Sequence, residues 1–191
     1  MVTTRNTRED VVRAAGRLFA EKGYHGTSMR DLGRELGLLG SSLYSHVDSK
    51  QDLLVEVVEE GARLFEESAQ SALAGRGNAL ERLHALISGH IDVVVDNIEV
   101  ARTFLNEARM LDADHRSRIL DARDHYEGVY RSVIRAGIED GSFRSDVDPK
   151  IASIFILSIL NAIERWYDPR GAVSRSDLVE QVTAFATSAL R

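Results

Sequence analysis

Apolar residues recur at spacings of three and four, not two, along nearly the whole chain, and only Pro149 and Pro169 remove a backbone donor. That period puts the apolar side chains of each segment on one helical stripe, so the expectation is an all-helical fold of about nine helices. Helix starts are written in the sequence as a capping oxygen followed three residues later by an acid: Thr7/Asp10, Ser28/Asp31, Ser49/Asp52, Asn78/Glu81 and Ser174/Asp177. Asp148-Pro149 adds a sixth start, with proline at the first helical position. Stops are expected at Gly23, Gly37, Gly75-Arg76-Gly77 and Gly141. Between Ser49 and Gly75 the spacing predicts one helix of about 25 residues, roughly 37 Å, long enough to bridge two units. From Pro149 on, Ile151, Ile154, Phe155, Ile156, Leu160 and Ile163 cover more than one side, so that helix is expected to be buried on more than one side.

Several classes drop out on composition. With no cysteine there are no disulfides, no thiol nucleophile and no cysteine-built zinc site. No run approaches the roughly 18 apolar residues of a membrane span, and the stretch from Met1 to Asp10 is polar, so a cytoplasmic protein without membrane contact is expected. Charge is uneven. Residues 1–50 hold 8 basic and 6 acidic side chains, and the remainder holds 16 and 24, giving the net charge of -6. The front tolerates a polyanion better than the rear.

Two short helices around Gly37 can place the second in a DNA major groove while the first fixes its angle. Ser41, Ser42, Tyr44, Ser45 and His46 supply base-facing groups, and Thr27, Ser28, Tyr44 and Lys50 sit at helix ends where hydroxyl and ammonium donors hold phosphates. On spacing alone an ordinary helical hairpin explains the pair equally well.

The residues themselves go further. Leu18-Phe19-Ala20-Glu21-Lys22-Gly23-Tyr24, Thr27-Ser28-Met29-Arg30-Asp31-Leu32, Leu36-Gly37, Ser42-Leu43-Tyr44-Ser45-His46 and Ser49-Lys50-Gln51-Asp52-Leu53 resemble the N-terminal domain of the TetR family of transcriptional regulators. The resemblance implies a three-helix helix-turn-helix domain over residues 1–50 and a helical ligand-binding and dimerisation domain over 51–191. It further implies DNA contacts by Thr27, Ser28, Arg30, Leu39, Gly40, Ser41, Ser42, Tyr44, Ser45, His46 and Lys50. Val47 stands where an aromatic is usual, Ser41 where glycine is frequent, Gly33 where alanine is, and Leu39 where a small hydroxyl residue often sits. These departures bear on which bases are read.

In the rear, Phe104-Leu105-Asn106-Glu107-Ala108-Arg109, Gly137 to Arg144 and Arg165-Trp166-Tyr167-Asp168-Pro169-Arg170-Gly171 are similar to the family's acyl-CoA-responsive repressors of fatty acid, steroid or aromatic acid breakdown. That similarity implies an acyl slot and cations for the anionic end, carried by Phe104, Glu107, Arg109, Met110, Tyr126, Tyr130, Phe155, Arg165 and Trp166. The partners implied are a palindromic double-stranded DNA operator, a small-molecule inducer, and a second copy joined through the last two helices. A different hydrophobic ligand or drug is the alternative inducer.

A metal-dependent helical-bundle enzyme is the remote alternative. Its candidates are Glu81-x-x-His84, the pair Asp121/His125, and Asp112, Asp114 and His115. A di-iron bundle needs two Glu-x-x-His motifs and two further glutamates, and one such motif is present. No enzyme activity, cofactor or metal is therefore expected. A pure interaction module would use the same last two helices but gives no reason to gather Ser42, Tyr44, His46 and Lys50.

Overall fold

The computed structural model describes residues 7–38, 43–45, 47–75 and 77–191. Among them are eight α-helices: α1 (Arg8–Gly26), α2 (Met29–Leu36), α3 (Lys50–Ala74), α4 (Ala79–Asp96), α5 (Ile98–Glu107), α6 (Ala113–Glu139), α7 (Pro149–Trp166) and α8 (Arg175–Leu190). A single 3-10 turn, Ala108–Met110, follows α5. No strand occurs among the described residues, in line with the all-helical expectation.

The caps fall where the sequence puts them. Thr7, Ser28 and Asn78 each close a reciprocal capping box with the acid three residues on, and Asp148 accepts from the amides of Lys150 and Ile151. Gly23 (φ 72) breaks α1 as expected, although helical hydrogen bonding resumes as far as Gly26. Gly37 (φ 64) ends α2, with the Leu38 amide donating to Gly33 O at 2.8 Å, so the left-handed cap turns the chain sharply.

The chain packs as two compact units. The first comprises the described residues up to Ala62 with Glu99–Leu120, and the second Arg63–Ile98 with Asp121–Arg191. α3 and α6 run through both, each giving its N-terminal part to the first unit. In the first unit α1 packs on α2, and Val11, Ala15, Leu18, Phe19, Leu32, Leu43, Val47, Leu53 and Leu54 are buried. Each such leucine contributes about 1.5–3 kcal/mol relative to an exposed one. The segment after α4 is held close: Thr103 Oγ1 donates to Gly16 O at 3.3 Å, and a Cβ on Gly61 would lie 2.6 Å from Phe104 Cβ.

In the second unit α4 packs on α7 and α8, burying Leu83, Ile87 and Ile91 with Leu160, Ile163 and Leu178. Arg175 at the start of α8 pairs with Asp92, at 3.1 Å, and with Asp96 of α4. The expectation that α7 is buried on more than one side is corrected within the single chain. Ile156, Leu160 and Ile163 face inward, while Ile151, Ile154 and Phe155 are exposed, as is Phe185 of α8. The apolar period was read correctly, but one chain has only enough neighbouring helices to cover one of the two faces.

Candidate functional site

The front of the chain is built from its joints. Ser28 caps α2 and holds Asp31 through its hydroxyl and amide, which keeps the Asp31 carboxyl below the usual carboxylate range. After the Gly37 turn, Leu43 and Val47 are buried one helical turn apart, with the Val47 amide donating to Leu43 O at 3.3 Å. Tyr44 and Ser45 face outward between those two anchors, Tyr44 with 55% of its surface open. Ser28 and Arg30 are exposed as well. Leu39, Gly40, Ser41, Ser42 and His46 lie outside the described residues.

Two of the expected phosphate ligands also make internal ties. Thr27 is buried, and its hydroxyl donates to Leu18 O at 3.1 Å and Gly23 O at 3.0 Å. Lys50 Nζ donates to the carbonyls of Tyr24 and Thr27, both at 2.9 Å, and sits 4.1 Å over the Tyr24 ring. The α1–α2 joint ends in carbonyls that the sequence spacing does not reveal, and a cation one helix later satisfies them.

The predicted ligand residues divide between the units. Phe104, Glu107, Arg109 and Met110 belong to the first. Glu107 Oε2 accepts the Tyr24 amide at 3.3 Å, Met110 O accepts from Gln51 Nε2 at 3.3 Å, and Tyr24 donates its hydroxyl to Gln51 at 2.8 Å. Glu107 and the Met110 carbonyl therefore brace the α1 kink, and Arg109 is exposed. Phe155, Arg165 and Trp166 open outward in the single chain: Phe155 is 65% and Trp166 57% exposed, and Arg165 extends outward beside buried Glu164. Helical spacing placed them on an apolar or cationic face without telling inward from outward.

Tyr126 and Tyr130 do come together, edge-on at 5.5 Å, inside the second unit. Tyr130 donates to Leu86 O at 2.9 Å. Against them stand Phe65 of α3 and His90 of α4, whose rings lie 4.7 Å apart. His90 Nδ1 is 3.1 Å from the Tyr126 hydroxyl, and Nε2 is buried without a hydrogen-bond partner among the described residues. Burial pushes the His90 imidazole down to about 3 and both tyrosine hydroxyls upward, so all three are neutral near pH 7. The sequence reading missed His90. The signal was there, as a polar residue at the position where the stripe Leu83, Leu86, Ile87, Ile91 and Val94 demands an apolar one. A separate open groove of about 540 Å³ along α3 and α4 is edged by Ser68, Ser71, Ser88, Asp92 and Asp96, and none of the predicted ligand residues lines it.

The residues proposed for metal chemistry have local duties. Glu81 caps α4, His84 Nδ1 meets Thr183 Oγ1 at 3.2 Å, Asp112 pairs with His115 at the start of α6, and His125 pairs with Glu66 rather than Asp121. Among the described residues no group of three or more potential ligands converges.

Comparison with known proteins decides the family. Residues 11–57 match the model for bacterial regulatory proteins of the tetR family, and residues 76–190 match that for the tetracyclin repressor-like C-terminal domain. The chain belongs to the TetR family. Among TetR relatives, the HTH-type transcriptional repressor KstR2 of Rhodococcus jostii (strain RHA1) is 28% identical over 188 residues, covering 96% of this chain and 90% of the relative. The solved structure of the ketosteroid transcriptional regulator KstR2 of Mycobacterium tuberculosis superposes with a TM-score of 0.91 at 26% identity, over 100% of this chain and 96% of that one. A crystal structure of AibR in complex with isovaleryl coenzyme A and operator DNA gives a TM-score of 0.83 at 26% identity, over 96% and 97%. These TetR neighbours cover both units of the chain described above.

Proposed function

We propose that this protein is a transcriptional repressor that binds a palindromic operator as a homodimer and leaves it when a small hydrophobic inducer, an acyl-CoA thioester, occupies its rear domain. The observation that carries the reading is the placement of exposed Tyr44 between buried Leu43 and Val47, just past the left-handed Gly37 turn. That is how a helix-turn-helix fixes one rod and offers the other to a duplex. Residues 1–50 form the DNA-binding domain, with Ser28, Arg30, Tyr44 and Ser45 as contacts, and with Leu39 to Ser42 and His46 assigned by the family resemblance. Residues 51–191 bind ligand and partner. The uncovered face of α7 with Phe185 of α8 supports a dimer formed there, since two half-sites must be met together.

The inducer class is supported by AibR, which binds isovaleryl coenzyme A. The aromatic interior around Tyr126 and Tyr130 supports an apolar ligand body. Because α3 and α6 pass through both units, a change at Tyr126 or Phe65 has a continuous helical route to the DNA-binding front. Losing about 1.4 kcal/mol of half-site fit lowers operator affinity tenfold. The protein acts in the cytoplasm, and no helix among the described residues is long and apolar enough to cross a membrane. The test is a gel-shift titration of a palindromic duplex drawn from the protein's own promoter region. Binding is expected to weaken with salt and to be reversed by an acyl-CoA thioester, and a protein that retards no such duplex at low salt refutes the proposal.

A further inference from the structure

One histidine stands in the interior of the second unit. His90 is 1% exposed, on the innermost stripe of α4, yet its Nε2 makes no hydrogen bond among the described residues. Leaving a buried polar atom unsatisfied costs about 1–3 kcal/mol, and leucine at this position would avoid the cost while matching its neighbours Leu86, Ile87 and Ile91. The ring is nonetheless fixed. Nδ1 faces the Tyr126 hydroxyl at 3.1 Å, and Phe65 packs against the ring at 4.7 Å. Three helices, α3, α4 and α6, converge on this one side chain, so its direction is set before any ligand arrives.

The ring can answer a partner in two ways. Where the Tyr126 hydroxyl donates to Nδ1, Nε2 carries the ring hydrogen and donates; where Nδ1–H donates to Tyr126, Nε2 accepts. Tyr130 is engaged elsewhere, its hydroxyl donating to Leu86 O at 2.9 Å. A hydroxyl group satisfies both forms of the ring, because it donates or accepts. We propose that His90 Nε2 is the recognition point for a hydroxyl on an otherwise apolar ligand whose body packs beside Phe65 and Tyr126. This rests on the ligand-responsive reading above and narrows it: the favoured inducer carries a hydroxyl within its apolar portion, and saturated hydrocarbon analogues are discriminated against.

The test uses the full chain and the variant His90→Leu/Tyr126→Phe, which removes both members of the polar pair. Saturated acyl-CoA thioesters are titrated calorimetrically, each beside its counterpart bearing one hydroxyl on the acyl chain. Wild type is expected to bind the hydroxylated member of at least one pair about tenfold more tightly, and the variant to bind both members alike. Without ligand, the variant should unfold at the wild-type temperature or above it, because an unpaired polar atom has been taken out of the core. Equal binding by wild type across every pair, a preference for the hydroxylated member that survives in the variant, or a marked fall in the ligand-free unfolding temperature each overturns the proposal. If no thioester binds, the proposal falls with the inducer class. In that event, retention of operator binding by wild type shows that the inducer class failed and the regulator reading did not.

Discussion

Acid should destabilise this protein through His90 well before its carboxylates titrate. In the unfolded chain a histidine takes up a proton near pH 6.5, whereas burial delays uptake in the folded state until about 3. The folded-state value is the depressed one, so the stabilisation is fully present above pH 6.5 and is lost as pH falls toward 3, at about 1.4 kcal/mol per unit once below pH 6. Between pH 7 and pH 5 this one side chain removes about 2 kcal/mol, and the figure hardly depends on the folded value so long as that lies below pH 4. The groups packed around it do not titrate in this window: Tyr126 and Tyr130 are pushed upward by burial. The carboxylates held low by their caps, Asp10, Asp31 and Asp112, lose their contributions in more acidic solution. The assay is urea unfolding followed by far-ultraviolet circular dichroism at pH 7 and pH 5, at one protein concentration because dimerisation is linked to folding. His90→Leu/Tyr126→Phe should lose about 2 kcal/mol less than wild type over the interval. Equal losses in the two proteins would refute the reasoning.

Other perturbations separate DNA contact from architecture. Tyr44→Ala, at a half-exposed side chain, should weaken operator binding about tenfold without moving the unfolding temperature, as read by gel shift and thermal melt side by side. Lys50→Met removes the tie between Nζ and the carbonyls of Tyr24 and Thr27, so it should lower stability by about 1–3 kcal/mol while leaving the salt dependence of operator binding at the wild-type slope; a shallower slope would return Lys50 to the phosphate contacts. Gly61→Val pushes side-chain atoms into Phe104 and should cost about 1–3 kcal/mol in a thermal or urea melt. Phe155→Glu on the uncovered face of α7 should shift sedimentation from dimer to monomer, and an unchanged dimer would place the partner interface elsewhere.

Local signals in the sequence were sufficient for the elements. A capping side chain bonds to an amide three residues away, and a left-handed glycine needs only its own backbone, so Thr7, Ser28, Asn78, Asp148, Gly23 and Gly37 could be read in place. The period of three and four fixed which residues share a face, and it found the buried positions of α1 and α4 for the same reason. What the period cannot carry is which of two apolar faces finds a neighbour. Phe155 and Tyr130 are both aromatics at helical spacing, yet one is open to solvent and the other completely enclosed. That difference depends on which helices the fold brings alongside α6 and α7.

Likewise Lys50 and Thr27 carry the right groups for a phosphate, but carbonyls also meet them: those of Leu18 and Gly23, in the helix that Thr27 itself ends, hold its hydroxyl, and those of Tyr24 and Thr27 reach Lys50 only when the fold brings the start of α3 to the end of α1. His90 is the same case in reverse, a polar residue whose meaning appears only once Phe65, Tyr126 and Tyr130 arrive from two other helices. Sequence by itself determined where helices begin and end, which residues each turns to one side, and the family that this pattern belongs to. Tertiary structure alone decided which hydrogen-bonding groups are already occupied and which remain to meet DNA or ligand, because a donor's availability depends on atoms far away in the chain and near in space.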